Sequence, residues 1–369
     1  MDLLILGGTI FLGRHLAELA LAEGDTVTLF TRGKHNPAIF PRAERITGDR
    51  GTDLRLLEGR RWEAVIDTSG YLPEMVRASA KLLAGSVGHY TFVSSISVYR
   101  DFRTLGIDED YPCGAMPEGA ALTVTDETYG PLKALCEQAV AEEFPGRALN
   151  IRPGLIVGPH DPSDRFTYWP ERVARGGEVL APDGPHRIAQ VIDARDLAAW
   201  ILRSVRKGLT GIFNATSPGG ESGGAPPGSA VGGTAPGSPP MGASSPDFPL
   251  TFGRILDACR EISGSDARFT WLPESFLVEE KVGPWMELPL WIPQEPDTLG
   301  FDAVSVERAV AAGLRFRPIT ETIRDTLSWA ATLPPDRTRR AGLDPAKETE
   351  ILRRWKARGA NGQSMVPHA

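Results

Sequence analysis

The chain has 369 residues, 41% of them hydrophobic and 24% charged, with a formal net charge of -7. That length holds one large domain, or a large domain with a smaller lobe, and the composition is ordinary for a globular protein. The negative balance argues against a surface built for nucleic acid or anionic lipid, and no apolar run reaches the ~20 residues of a membrane helix.

Three separated cysteines, Cys113, Cys136 and Cys259, suggest no disulfide framework, so a reducing cytoplasm is the expected compartment. The six histidines lack ligand spacing, and no metal site is expected. The apolar N-terminus has no basic start and reads as a buried strand, not a leader.

In chain order, Asp2–Leu6 is a short apolar strand, Gly7-Gly8-Thr9 a turn, and Phe11–Ala22 a helix closed by Gly24-Asp25. Thr26–Thr31 is a second strand rich in β-branched residues. Further strands are expected at 64–68, 90–94 and 148–152, with helices at Pro73–Leu83 and 130–143. This alternation predicts an α/β fold, a Rossmann-type doubly wound parallel sheet, over residues 1–153.

Past Pro153 the sequence becomes turn-rich, then offers a return to the sheet at 188–192, a helix at 193–205 and a strand at 212–214. Residues 154–187 and 250–358 are assigned to a smaller C-terminal substrate lobe, while about 188–215 return to the cofactor domain. Residues 217–246 are nearly all Gly, Pro, Ala and Ser, and read as a disordered insertion, an inert linker in preference to a partner-binding segment. Helices are expected at 250–263, 307–312 and 319–331, and a flexible tail at 359–369.

The run Gly7-Gly8-Thr9-Ile10-Phe11-Leu12-Gly13 lies where the first strand meets the first helix. Glycine there lets backbone approach a pyrophosphate, and the helix N-terminus offers unpaired N–H groups and a positive dipole end. Gly7, Thr9, Ile10, Phe11, Leu12 and Gly13 are therefore candidate cofactor contacts. Ile10 stands where many dinucleotide folds carry another glycine.

The second strand ends without the acidic residue that would bind the ribose hydroxyls of NAD. Arg32 and Lys34 either hold a 2′-phosphate, favouring NADP, or hydrate a loop. Asp49 and Arg50 are placed to flank the adenine, and Thr68, Pro153 and Leu155 at later strand ends complete the candidate cofactor set.

Tyr129 and Lys133 are four apart at the start of a helix, hence on one face. A nearby ammonium favours phenolate, so the tyrosine can exchange a proton with an alcohol oxygen at neutral pH. Ser94, Ser95 and Ser97 follow the strand ending near Val93, within reach of the same oxygen.

Glycine turn, strand-end serines and tyrosine–lysine helix, in this order, make the chain resemble the short-chain dehydrogenase/reductase superfamily, in its extended, epimerase/dehydratase-like branch. The resemblance covers residues 1 to about 215, and Arg315-Phe316-Arg317-Pro318 with Trp329 is similar to that branch's closing segment. It implies Tyr129 as general acid/base, Lys133 as its activator and ribose ligand, and Ser95, four before Tyr99, as the catalytic serine. GGTIFLG is similar to an atypical fingerprint also found in stem-loop RNA-binding chloroplast relatives.

Two departures narrow the chemistry. Nucleotide-sugar enzymes of the branch carry Asn three residues after the arginine matching Arg152, where Leu155 stands here. Dehydratases carry an Asp-Glu pair after the catalytic hydroxyl, where Ile96 and Ser97 stand here.

For the substrate, Tyr71, Asp161, Arg165, Tyr168, Trp169 and Gln190 are pocket candidates. Arg165 either meets an anionic group bidentately or pairs with Asp164 or Asp161. The expected protein is a monomeric or homodimeric, NADP-preferring oxidoreductase (NAD being the other option) acting on a carbonyl/alcohol pair of a small molecule. The alternatives are a nucleotide-sugar epimerase and a non-catalytic RNA-binding or scaffold relative, the latter opposed by the acidic balance.

Overall fold

The computed structural model describes residues 1–219 and 248–362, with side chains to 358. Residues 220–246 of the expected insertion and 363–369 of the expected tail lie outside the described residues, while 359–362, expected to be flexible, continue the last helix.

The element order is β1 (Asp2–Leu6), α1 (Phe11–Ala22), β2 (Thr26–Thr31), β3 (Glu44–Thr47), β4 (Trp62–Asp67), α2 (Pro73–Leu83) and β5 (Val87–Val93). It continues with α3 (Tyr129–Glu143), β6 (Ala148–Pro153), β7 (Leu155–Val157), α4 (Tyr168–Ala174), β8 (Glu178–Pro182) and β9 (Val191–Asp193). Then come α5 (Ala194–Arg206), β10 (Gly211–Ala215), α6 (Phe252–Ser263), β11 (Arg268–Leu272) and α7 (Glu274–Glu279). The last helices are α8 (Glu307–Ala311), α9 (Ile319–Ala330) and α10 (Pro345–Gly362).

Seven strands form one sheet in the order β10-β6-β5-β4-β1-β2-β3, every neighbouring pair parallel. Such a sheet must be covered on both faces, so its central strand β1 buries Leu3 to Leu6 in succession instead of alternating. Leu3 and Ile5 of β1 join Leu16, Trp200 and Ile201 on the α1/α5 side. Leu4 and Leu6 join Val76, Tyr90, Cys136 and Phe144 on the α2/α3 side. The order reverses between β1 and β4, which opens the crevice where such folds bind dinucleotides.

The chain divides into two compact units. The first holds the described residues of Met1–Ile156, Gln190–Pro249 and Pro296–Arg317. The second holds those of Val157–Ala189, Leu250–Glu295 and Pro318–Ala369. Residues 296–317 thus group with the sheet, contrary to their expected place in a C-terminal lobe; Ser305 N–H donates to the Ile107 carbonyl at 2.8 Å. The expected return at 188–192 also differs: β9 pairs with β7 in a separate two-stranded sheet, and β10 alone rejoins the main one.

In the second unit β8 and β11 pair in parallel, and α6 is capped by Thr251 and ended by Gly264 in the left-handed conformation. The buried Arg172–Glu348 pair (2.7 Å) ties α4 to α10. Among the described residues, no helix is long and apolar enough to cross a membrane.

Candidate active site

The crevice opens beside the β1–α1 turn. Gly7 and Gly8 have φ of 110° and 95°, which L-residues rarely adopt. A Cβ on Gly13 would lie 2.7 Å from the Gly8 nitrogen, so only glycine lets the helix sit this close to the turn. Ile10 is extended (φ -131°) and 43% exposed; Phe11 carries φ 39°. Leu12 is buried in the core, and the Thr9 carbonyl accepts from Asn36 Nδ2 at 2.8 Å, a support the sequence reading missed. The first-turn N–H groups of α1 have no acceptor within their own helix, which suits an anion above the turn. This cradle fits the pyrophosphate of a dinucleotide.

Thr68 and Ser69, just after β4, both donate their hydroxyls to the Leu6 carbonyl at 3.1 Å, joining the two strand ends that flank the crevice. Arg32 and Lys34, beyond β2, are exposed and make no ion pair among the described residues. Asp49 stays near the surface, its carboxylate accepting from Gly51 N–H at 2.8 Å.

Arg50 departs from expectation. It is buried and holds Asp67 with both Nη atoms at 2.8 and 2.6 Å, while its Nε donates to Ser79 at 2.8 Å. Its guanidinium is committed to the interior, so it is not available to flank an adenine. Pro153 ends β6, and Leu155 is buried in β7.

Gly130 governs the approach of α3. A Cβ there would lie 1.9 Å from the Ser97 carbonyl oxygen, so the helix start rests directly on the Ser95–Ser97 segment. Ser95 caps a short 3-10 turn: its Oγ accepts from Ser97 N–H at 3.1 Å and donates to Ser97 Oγ at 3.0 Å. Tyr129 is half-buried, its ring centroid 6.4 Å from that of Tyr71.

Lys133 is only 4% exposed, and its Nζ donates to the Gly70 carbonyl at 2.8 Å and the Val93 carbonyl at 2.6 Å. Burial pushes its pKa down to about 8, with partial opposition from Cys136 and Asp67. The phosphate cradle, Ser95, Tyr129 and Lys133 all belong to the first unit.

The substrate candidates fare unevenly. Tyr71 is 50% exposed beside Tyr129. Gln190 is a structural brace, since its amide bonds the Ser217 and Val304 carbonyls and the Val304 N–H. Tyr168 is buried under Gly342, where a Cβ would lie 2.3 Å from its ring, and Trp169 donates to the Pro289 carbonyl; both are packing residues.

In the second unit, Asp161 is buried, and its Oδ1 accepts from Ser163 N–H and Oγ. Its Oδ2 has no hydrogen-bond partner among the described residues. The Arg165 guanidinium lies 4.9 Å over the Trp285 ring, and Asp164 is held by Arg337.

Solved structures with this fold span nearly the whole chain. Bordetella bronchiseptica WbmH, in complex with NAD+, has a TM-score of 0.59 at 15% identity, covering 89% of this chain and 98% of that one. Human epimerase family protein SDR39U1 (isoform 2), with NADPH, has a TM-score of 0.56 at 18% identity, covering 90% and 100%.

Among curated proteins, the Arabidopsis thaliana chloroplast stem-loop binding protein of 41 kDa b is 26% identical over 236 residues, 58% of this chain but 57% of that protein's length. Bos taurus epimerase family protein SDR39U1 is 26% identical over 236 residues, 59% of this chain and 75% of its own length. The model of the NAD dependent epimerase/dehydratase family matches residues 3–215, more than half of the sequence and the whole of the glycine turn, serine segment and tyrosine–lysine helix. The chain belongs to that family, within the extended short-chain dehydrogenase/reductases.

Proposed function

We propose that the protein catalyses hydride transfer between a nicotinamide cofactor, NADP in preference to NAD, and a carbonyl/alcohol pair of a small metabolite. The observation that carries this reading is the seating of Lys133, buried one turn from Tyr129 on a helix that Gly130 brings against Ser95–Ser97. A nicotinamide cofactor bound by the Gly7–Gly13 turn would supply or take up the hydride.

Tyr129 gives the proton to the substrate oxygen in reduction and receives it in oxidation. The Lys133 charge favours phenolate, which lowers the cost of releasing that proton near neutrality. Two of its three N–H bonds are spent on Gly70 and Val93, leaving one for the nicotinamide ribose. The Ser95 hydroxyl orients the same oxygen. Arg32 and Lys34 are proposed to hold a 2′-phosphate. Tyr71, beside Tyr129, is the proposed substrate contact in the first unit.

Cofactor titration with NADPH and NADH, followed by a carbonyl panel, tests the proposal. Tyr129→Phe should lower turnover by about 100-fold or more, and unchanged turnover refutes the catalytic role. Arg32→Ala should weaken NADPH far more than NADH; equal losses refute the 2′-phosphate assignment.

A second reading, epimerisation through a transient keto intermediate, is favoured by the family description and by neighbours such as the Thermotoga maritima UDP-glucose 4-epimerase. It predicts conversion of a nucleotide sugar with the cofactor's redox state unchanged over the cycle, and Leu155 in place of the phosphate-binding Asn counts against it.

A further inference from the structure

Beneath the crevice lies a buried polar cluster that the reaction as proposed does not use. Asp67, the last residue of β4, is fully buried, and its two oxygens receive four donors: Arg50 Nη1 at 2.8 Å, Arg50 Nη2 at 2.6 Å, Tyr90 Oη at 2.8 Å and Ser69 N–H at 3.1 Å. Arg50, Ser79 and Tyr90 are buried with it, and Ser79 passes its own proton to the Met75 carbonyl at 2.9 Å. Burial alone would push the Asp67 carboxyl up, but the Arg50 guanidinium, with the Tyr90 hydroxyl and Ser69 amide, holds it below the ordinary carboxylate range.

A buried ion pair of this kind is weak evidence for stability, because desolvation offsets much of the attraction. Its geometry relates it instead to the turn that follows. That turn carries Thr68 and Ser69, which fasten to the Leu6 carbonyl, then Gly70, whose carbonyl receives the Lys133 ammonium, then Tyr71 beside Tyr129. Gly70 is wedged in place: a Cβ on it would lie 2.6 Å from the Phe92 ring, 2.7 Å from Val76 and 3.2 Å from Asp67 Oδ2.

We propose that Arg50 and Tyr90, acting through Asp67, are positioning residues for Lys133, because their bonds fix the turn whose Gly70 carbonyl seats the ammonium. The role rests on the hydride-transfer reading only in naming what Lys133 is positioned for; the coupling itself is a property of the free protein. Arg50 reaches both carboxylate oxygens with a planar fork that lysine lacks, and the Tyr90 hydroxyl supplies the third side-chain bond.

The groups around Lys133 include Cys136 and Glu137 on its own helix, Asp67 of β4, Arg50 from the loop after β3, the Phe92 ring at 4.2 Å and the Tyr71 ring at 5.4 Å. Asp67 favours the ammonium and Arg50 opposes it. Neutralising the carboxylate therefore acts on Lys133 both by loosening the turn and by removing a favourable charge.

The test uses the full chain carrying 13C-labelled lysine, with the Lys133 Cε resonance assigned by its loss in Lys133→Arg. In Asp67→Asn the Lys133 titration midpoint should fall by about one unit. Asp67→Asn combined with Arg50→Gln removes both charges and should bring the midpoint back towards that of the unaltered protein. A folded Asp67→Asn protein with an unchanged Lys133 titration overturns the proposal.

Should the charge variants fail to fold, Tyr90→Phe decides, since it keeps both charges and the ring contact with Phe144 at 5.0 Å. Amide exchange in residues 68–71 should then quicken about ten-fold. Unchanged protection there overturns the proposal. None of these readouts needs substrate or cofactor, so their failure is distinct from a failure of the Tyr129→Phe test.

Discussion

Gly130→Ala sets local propensity against tertiary geometry. Alanine is the better helix former, by about 0.8 kcal/mol over glycine, and on that ground the change near the start of α3 should stabilise the protein. The structure predicts the reverse. The new Cβ would meet the Ser97 carbonyl oxygen at 1.9 Å, where real Cβ atoms essentially never come within 3.0 Å, and the obstacle is backbone, which cannot rotate away. The two segments must part by about 1 Å, at a cost of about 1–3 kcal/mol by the usual scale of overpacking.

The same 1 Å separates Tyr129 from the serine segment, and misplacement on that scale costs about 100-fold in rate. Urea unfolding and steady-state cofactor oxidation read the two effects side by side. A Gly130→Ala protein as stable as the parent, with unchanged turnover, would refute the claim that this contact sets the site.

Two further changes test the buried charges. Lys133 titrates near 8 in the folded chain against about 10.4 for a free side chain, so between those values the unfolded chain binds a proton that the native one does not. Stability therefore rises with pH across that window, by about 3 kcal/mol, and the difference between Lys133→Met and the parent in urea should shift in the parent's favour by that amount. A pH-independent difference contradicts it. Glu348→Ala leaves Arg172 buried without its carboxylate and removes the acceptor of the Leu180 amide, so it should cost about 3–5 kcal/mol in denaturant titrations; a loss under 1 kcal/mol would show that the pair contributes little.

Legibility in the sequence followed how local each determinant is. The bounds of β1, α1, β2 and α2 could be read directly, because apolar runs, the Gly24 stop and Pro73 at a helix start are all local signals. The β8–β11 pair was not legible: residues 178–182 meet 268–272 across a long stretch of chain, and neither short segment has a distinctive pattern. The apolar residues around Val191 were seen as a strand, but which sheet they join depends on β7.

Ser95, Tyr129 and Lys133 were legible as an ordered set, whereas the Arg50–Asp67 pair was not, although a carboxylate ending the apolar strand β4 was a signal that some buried cation had to meet it. Arg50 was read as flanking the adenine, because the partner that draws it inward, Asp67, is 17 residues away in sequence. Gln190 was misplaced for the same reason: its three amide bonds all run to distant backbone.

The glycine turn shows how an atypical fingerprint can keep its function. Ile10 replaces a customary glycine, yet its φ of -131° is open to any residue, and its side chain points to solvent at 43% exposure. The left-handed conformations fall instead on Gly7, Gly8 and, at φ 39°, Phe11. A non-glycine residue held there stores of order 1–3 kcal/mol of strain, a cost found mainly where surrounding structure fixes a binding site.

The close approach on which the cradle depends belongs to Gly13, 2.7 Å from the Gly8 nitrogen in Cβ terms. Ile10→Gly should therefore leave NADPH affinity within about two-fold, while Gly13→Ala must displace the turn and lose at least one charge-assisted backbone bond, about ten-fold in affinity. If Ile10→Gly instead tightened binding by ten-fold and Gly13→Ala did nothing, the anion would have to be held by the residue-10 backbone, and the approach of Gly13 to Gly8 would not form the cradle.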